Sequence, residues 1–483
     1  MKNKYKIALF VLIFLFVIGF LAYIRYFNSF HNLPILLDEV TDLSQIKLIL
    51  NEKAIVKQVA VSGENIPNYP NNSFYHLLLS LPLFLGSSIF SFNFLYVLIA
   101  GLICLVFFLF LYKLTKNYYI SLISLVLFPL IRSTPSILGI HFLTRFVFSL
   151  LFLFLALYLF LKLDELNYNL FIAFIFVFFI LFLLYPPSAL FLFLLLIVWK
   201  AFFIKQRFRI SYYLKNKKIK WTLSILLIVL IIASLIVFGR VHLSTFVSQF
   251  LFYKSLTVYN DFSFFSIYGI LPLILSFVGL LVSYNEKWSR FFLSWLIICF
   301  TEILLFYFVG FSIFIRFQRV LYLTIIGLIP FTSLGIYFIL NKIYSFFRKV
   351  KLNKIISLLL ILALFLSFVS SLYFSFPKQV GQKPIDEQEY NDLLWLKNNY
   401  NEKKIVTYPG VSPFLYILTN NQARQARPAY ADWYINEFFD LNCDEKMKII
   451  DKEKIDLVYS LEEQECDFLK LVYSGKCFIY EVR

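Results

Sequence analysis

Long apolar runs, broken by short polar punctuation, occupy most of the chain. The first, Ile7 to Phe27, follows Lys2, Lys4 and Lys6. It is long enough to cross a bilayer and no small-x-small cleavage site follows it, so the pattern predicts an uncleaved anchor with a cytoplasmic N-terminus. Further runs predict spans at residues 91–112, 118–131, 139–161, 168–184, 188–204, 221–239, 263–283, 290–310, 317–340 and 355–375. Phe74 to Phe90 is also apolar, and the charges on either side decide its placement. If it crossed with all the others, the segment from Lys200 to Lys220, which has eight Lys/Arg and no acid, would lie outside, against the bias of basic loops toward the cytoplasm. Laid along the outer interface, it leaves that segment, Lys342 to Lys354, and Lys113/Lys116 inside. The C-terminal tail then falls outside.

From Phe376 onward the pattern changes to a polar, charged stretch with alternating element types. It predicts helices at Asp386–Asn398, Pro413–Leu418, Glu445–Asp451 and Glu463–Val472, and strands at Lys404–Tyr408, Ile455–Ser460 and Cys477–Val482. A unit of about a hundred residues is of ordinary domain size. The expected architecture is a mainly α polytopic membrane protein with about eleven transmembrane helices plus an interfacial helix, ending in a small C-terminal extracytoplasmic α/β domain. The division is 1–375, a membrane domain whose first external loop is 28–90, and 376–483, the tail.

Composition agrees. The 483 residues are 60% hydrophobic and 20% aromatic, more apolar surface than a soluble fold buries. The net charge of +17 would suggest nucleic acid for a soluble domain; in a membrane protein it records topology, and nucleic acid is excluded as a partner. Of five cysteines, Cys104 and Cys299 lie in apolar spans. Cys443, Cys466 and Cys477 share the tail without metal spacing and leave room for one disulfide of undetermined pairing. No dinucleotide, P-loop, nucleophile-elbow or zincin motif occurs, nor an internal repeat.

The candidate chemistry gathers after the first span. Asp38 and Glu39 open the external loop, which continues through an amphipathic stretch to a Tyr69-Pro70 turn and a short apolar helix containing His76 and ending at Gly86. An acidic pair at the mouth of a membrane helix suits a general base as well as a helix N-terminal charge. Arg132, Arg145, Arg240, Arg316 and Arg319 map to outer helix mouths, where they run against the positive-inside bias and suit a phosphate or an interfacial anchor. Glu302, inside a span, must be paired, protonated or facing a polar cavity. His141 and Arg145 lie four apart, on one helical face. Asn71-Asn72-Ser73 matches a glycosylation sequon.

The uncleaved first span, Asp38-Glu39, the Tyr69 to Gly86 segment, the many spans and the external tail together resemble the GT-C superfamily of integral-membrane glycosyltransferases. The branch most resembled contains the protein O-mannosyltransferases and lipid A aminoarabinose transferases. The resemblance implies transfer of a sugar from a polyprenyl-phosphate carrier to an unidentified acceptor at the outer face of the cell membrane, among membrane lipids. It implies Asp38 as base with Glu39 as its neighbour; placement makes Arg316, Arg319, Arg145, Tyr69, His76 and Glu302 the candidate substrate contacts, with hydrogen-bonded packing for His76 and a helix interface for Arg145, beside His141, as alternatives. No metal ligand and no cofactor is assigned, a divalent metal remaining an open alternative. The tail lacks the W-W-D-Y-G motif of oligosaccharyltransferases, Asp432-Trp433-Tyr434 being only an echo of it. Two other classes fit parts of the pattern: a transporter or lipid flippase, which leaves the tail and acidic pair without a role, and a non-catalytic envelope assembly protein, which leaves the arginines without one.

Overall fold

The computed structural model describes residues 2–28, 37–52, 73–84, 92–131, 133, 139–163, 168–203, 253–254, 268–313, 315–349, 385–408, 411–423 and 438–483. The chain divides into two compact units, Met1–Arg25 with Phe94–Val380 and Tyr26–Asn93 with Gly381–Arg483. The second unit is discontinuous in sequence. It joins the segment after the first span to the tail.

The first unit is a helical bundle of α1 (Lys2–Asn28, whose last residues pass into the second unit), α4 (Phe92–Thr115), α5 (Tyr118–Leu127), α6 (Arg145–Lys162), α7 (Tyr168–Leu184), α8 (Pro186–Phe203), α9 (Ile270–Ser283), α10 (Lys287–Val309) and α11 (Phe317–Lys349). A short ladder pairs β1 (Tyr253–Lys254) with β2 (Phe311–Ser312). Among the described residues five helices are long and apolar enough to cross a membrane: Lys4–Tyr26, Phe92–Thr115, Arg145–Lys162, Lys287–Val309 and Phe317–Phe346. Tyr118–Leu130, Tyr168–Leu184, Pro186–Lys200 and Ile270–Ser283 are shorter apolar helices. The chain is an integral membrane protein. The expected spans 221–239 and 355–375 lie outside the described residues.

One expected span starts late. Residues 139–144 are irregular, and α6 begins at Arg145, with the Thr144 side chain accepting from the Val147 amide as its cap. Tertiary bonds override the apolar run there: Tyr96 Oη donates to the Ile140 carbonyl and the Ile140 amide donates to Tyr322 Oη, both at 2.9 Å.

Helices in the bundle meet through small residues and short polar bridges, as expected where apolar surface alone does not drive helices together. A Cβ on Gly279 of α9 would lie 1.9 Å from the Phe331 carbonyl oxygen of α11, and one on Gly335 would lie 2.1 Å from the Leu275 carbonyl oxygen. The two backbones are therefore in direct contact. Ser124 and Ser333 share a hydrogen bond of 2.8 Å, and Trp295 Nε1 donates to the Leu323 carbonyl at 2.7 Å.

The second unit contains α2 (Leu37–Glu52), α3 (Ser73–Phe84) and the tail, with α12 (Glu387–Asn399), α13 (Ser412–Thr419) and α14 (Cys443–Glu453). Its five-stranded sheet has the order β4-β3-β5-β7-β6, from β3 (Lys404–Thr407), β4 (Gln422–Ala423), β5 (Leu457–Ser460), β6 (Leu469–Ser474) and β7 (Phe478–Val482). The β3 pairings with β4 and β5 are parallel; those of β7 with β5 and β6 are antiparallel. With 12 residues, α3 extends only about 18 Å, short of the ~30 Å hydrocarbon core. The helix expected over Glu463–Val472 is not formed. Residues 463–466 are irregular, Cys466 is bonded to Cys443, and Leu469 to Ser474 form a strand whose Leu469 faces Val482. Long-range pairing with β7 outweighs the local charge pattern that reads as helical.

The start of α12 is a full capping box. Asp386 accepts from the Glu389 amide and Glu389 accepts from the Asp386 amide, both at 2.9 Å, and Lys476 bonds both carboxylates. The Glu389 amide first, then Lys476, hold the Asp386 carboxyl below its ordinary 3.8, and Asp386 above all raises Lys476 above 10.5.

Two predictions follow from these packings. Gly279→Val should lower the bundle's stability by about 1–3 kcal/mol, read as a drop in detergent melting temperature, whereas Gly19→Val, at a glycine with open space around it, should leave it unchanged. Because the folded pKa of Asp386 is depressed, its contribution is present above 3.8 and is lost as pH falls through the lower folded value; that of Lys476 is lost as pH rises past 10.5. Asp386→Ala should weaken α12 by ~1 kcal/mol, while Asp386→Asn should keep most of the cap and lose the acid-side dependence, read by intrinsic-rate-corrected hydrogen exchange over 387–399.

Candidate active site

The acidic pair lies in the first turn of α2. Glu39 is 0% exposed, and Asp42, one turn on, is 9% exposed. Ser44 and Gln45 are buried beside Val40, Leu43, Ile46 and Ile49. A helix that buries carboxylates with its aliphatic residues is informative where a buried leucine is not. Asp38 is in this helix; its side chain lies outside the described residues, as does Tyr69.

Asp42 is the residue the sequence reading missed. A carboxylate only accepts hydrogen bonds, so His76 Nε2 donates to Asp42 Oδ1, at 2.9 Å. This bond ties α3 to α2 and fixes the imidazole tautomer. The signal was the spacing: Asp42 is i+3 from Glu39, so the two share one face of α2. On the other side, Lys47 Nζ donates to the carbonyls of Tyr416 (2.8 Å) and Ile417 (3.0 Å) and to Asn420 Oδ1 at the C-terminal end of α13. Burial, and then the nearby Lys397 ammonium, lower the Lys47 pKa to about 8.

The arginines belong to the first unit. Arg316 is exposed, and its carbonyl accepts the first helical bonds of α11, from the amides of Arg319 (2.9 Å) and Val320 (3.1 Å). Arg319 is half-buried. Its Nη1 donates to Tyr185 Oη, and its guanidinium carbon lies 5.0 Å from the Tyr185 ring centroid and 5.7 Å from that of Phe146. Tyr185 immediately precedes α8 and Phe146 is the second residue of α6, next to Arg145. One turn further in, Ser149 and Ser188 share a 2.8 Å hydrogen bond between α6 and α8. The N-terminal ends of α6, α8 and α11 therefore converge around the Arg319 guanidinium. No acidic residue occupies the first turn of any of the three. Helix N-termini carry partial positive charge and prefer anions, yet Arg145, Arg316 and Arg319 all sit at them. Tyr185-Pro186 was the available signal, since proline favours the first helical position.

Glu302 is 3% exposed in the C-terminal half of α10 and its Oε2 accepts from the Ile313 amide at 2.9 Å. Gly310, at φ 77°, ends α10 in the left-handed region, and β2 follows at once. The carboxylate thus holds the turn that leads into Arg316. His141 is fully buried in the turn before α6. Arg132, Arg240, Asn71, Asn72 and Asp432 to Tyr434 lie outside the described residues. Among the described residues no group of three or more His, Cys, Asp or Glu is placed to hold a metal ion. The acidic helix and the arginines belong to different units, and each offers a distinct capacity: buried carboxylates in one, guanidinium groups at converging helix N-termini in the other.

No known family profile matches the chain, and no curated protein matches it in sequence. Solved structures do match its fold. The Archaeoglobus fulgidus oligosaccharyltransferase in the apo form aligns with a TM-score of 0.60 at 12% identity, covering 93% of this chain and 69% of that one. The same enzyme tethered to an acceptor peptide containing the NVT sequon gives 0.58 at 12% identity, with 92% and 69% coverage. The archaeal oligosaccharyltransferase AglB from that organism, in complex with an inhibitory peptide and a dolichol-phosphate, gives 0.56 at 13% identity, again with 92% and 69%. The likeness, at 12–13% identity, is one of fold.

Breaking the Asp42–His76 bond tests how firmly the acidic helix is set. Asp42→Ala leaves a buried imidazole donor without its acceptor and should cost about 1–3 kcal/mol, seen as faster exchange of both 39–50 and 74–81. Unchanged exchange in both segments would show that the bond carries no weight.

Proposed function

We propose that this chain is a membrane glycosyltransferase that moves a sugar from a polyprenyl-phosphate-linked donor to an acceptor at the outer face of the cell membrane. One observation carries the reading: the N-terminal ends of α6, α8 and α11 meet around the Arg319 guanidinium, with Arg145 and Arg316 at two of the same ends, and backbone amides and guanidinium groups together favour a bound anion. A carrier phosphate supplies that anion. Arginine suits it because the planar fork binds two phosphate oxygens together and stays charged. The fold likeness adds support, since the neighbouring AglB structure holds a dolichol-phosphate.

In the proposed step the acceptor's nucleophilic atom attacks the anomeric carbon, whose bond to the phosphate oxygen breaks. The carrier phosphate leaves with the electron pair, and the arginines stabilise its charge. Asp38 takes the acceptor's proton as general base. Glu39, fully buried, is suited to position Asp38 from behind and not to meet the acceptor itself, which gives the adjacent acids unequal roles. Arg316 and Arg319 hold the phosphate, with Arg145 adding to the field; Glu302 sets the turn before Arg316, and His76 sets α2 through Asp42. The Cys443–Cys466 disulfide suits a tail on the oxidising, extracytoplasmic side, the orientation derived from the basic loops.

The test begins with mass spectrometry of the lipid that copurifies with the protein, followed by an assay of sugar release from that lipid in nanodiscs. Asp38→Asn should leave carrier binding nearly intact and cut turnover by about two orders of magnitude or more. Arg316→Gln with Arg319→Gln should abolish carrier binding, and Arg319→Lys should weaken it although charge is kept. Full transfer by Asp38→Asn, free of wild type, would sink the base assignment; unchanged carrier binding in the double Gln variant would reduce the arginines to interfacial anchors.

A further inference from the structure

The transfer step proposed above assigns no part to the folded tail, yet the tail's most specific contact outside itself is with the acidic helix. Lys47 of α2 spends its ammonium on the C-terminal end of α13: the Tyr416 and Ile417 carbonyls, at 2.8 and 3.0 Å, and Asn420 Oδ1. An ammonium has three donors, and three acceptors meet it. It also lies 5.1 Å from the Tyr416 ring centroid. The carbonyls in the last turn of a helix carry its partial negative charge, so a cation there complements the helix end; the Tyr416 carbonyl also accepts from the Asn420 amide at 3.3 Å, and its second lone pair is available to Lys47. The acceptors are themselves fixed. Asn420 ends α13 in the left-handed conformation (φ 61°). Asn421 ties the corner to the sheet, accepting from the Lys403 amide at 2.7 Å and donating to the Tyr400 carbonyl at 3.1 Å.

On α2, Lys47 lies five residues after Asp42, about 140° around the helix. The helix is therefore gripped on two faces, by α3 through Asp42–His76 and by the tail through Lys47. The second grip forms despite burial of the ammonium and a like charge, Lys397, nearby. We propose that Lys47 is a positioning residue through which the tail domain fixes the orientation of α2, and with it the acidic first turn. The link to chemistry rests on the function proposed above; the grip itself does not.

The test uses the full-length protein in nanodiscs and three variants: Lys47→Met, which keeps the stem and loses the donors; Lys47→Arg, which restores them; and Asn420→Ala, which removes one acceptor. Intrinsic-rate-corrected exchange over 39–50 should rise at least about tenfold in Lys47→Met, return to within about threefold of wild type in Lys47→Arg, and rise less in Asn420→Ala, with the Met and Ala effects less than additive in the double variant. Binding of undecaprenyl phosphate, used as the carrier probe, should stay within about twofold throughout. With a polyprenyl-phosphate sugar that the wild type cleaves, Lys47→Met should lower kcat and leave KM, and Lys47→Arg should recover kcat. Unchanged exchange over 39–50 in Lys47→Met overturns the proposal. So does loosening that extends equally through the tail core at 457–482 in both Lys47→Met and Asn420→Ala, since Lys47 would then support the whole unit and not one helix. If the wild type cleaves no such lipid, the proposed function fails while the exchange comparison still decides the grip.

Discussion

In an apolar solvent a charge survives only where something opposite or polar answers it, and that constraint decides where this chain keeps its ionisable groups. The apolar bodies of the bundle helices leave charge to their ends, where backbone groups are unsatisfied and partial charges collect. Arg145 and Arg316 are at such ends, and Arg319 has its guanidinium against the Phe146 and Tyr185 rings. Aromatic faces attract a cation through the ring quadrupole, and these two rings help hold Arg319 in place. Glu302 follows the same rule by a different route, taking the Ile313 amide of the turn that precedes Arg316. A buried carboxylate in a membrane helix is costly unless it is answered, and here the Ile313 amide answers one of its oxygens.

The second unit solves a soluble protein's version of the problem. Its helix α2 has too few apolar residues to be buried on composition alone, yet Glu39, Asp42, Ser44 and Gln45 are all inside. Burial of that kind persists when partners satisfy each group: Ser44 donates to the Val40 carbonyl within α2, whereas the charged groups draw on distant segments, His76 for Asp42 and residues 416–420 for Lys47. The tail is thus built to receive the segment after the first span. Its own core is conventional, with Val406, Val458, Ile450 and Tyr480 packed around the sheet, and the Cys443–Cys466 bond fastens α14 to the loop before β6.

What the sequence determined by itself was whatever depends on neighbours along the chain. Apolar runs located α4, α7, α8 and α10 to within a few residues, because a helix of that length and composition has no other stable place. The Asp386-x-x-Glu389 spacing marked the start of α12, because a capping box is a purely local exchange of hydrogen bonds. The acidic pair and the arginines at helix ends were visible as residues out of keeping with their surroundings.

What only the tertiary structure decided was every feature that joins residues far apart. The β6 strand exists because β7 pairs with it, whereas its charged flank reads as helical. The delayed start of α6 depends on two tyrosine hydroxyls from other helices. Asp42 and Lys47 look like ordinary helix-surface charges until α3 and α13 are brought to them, and Tyr185 looks like a turn residue until Arg319 reaches it. Periodicity and capping are written within a turn or two of chain. The partners of a buried charge are chosen by the packing of whole elements, and no local pattern encodes that choice.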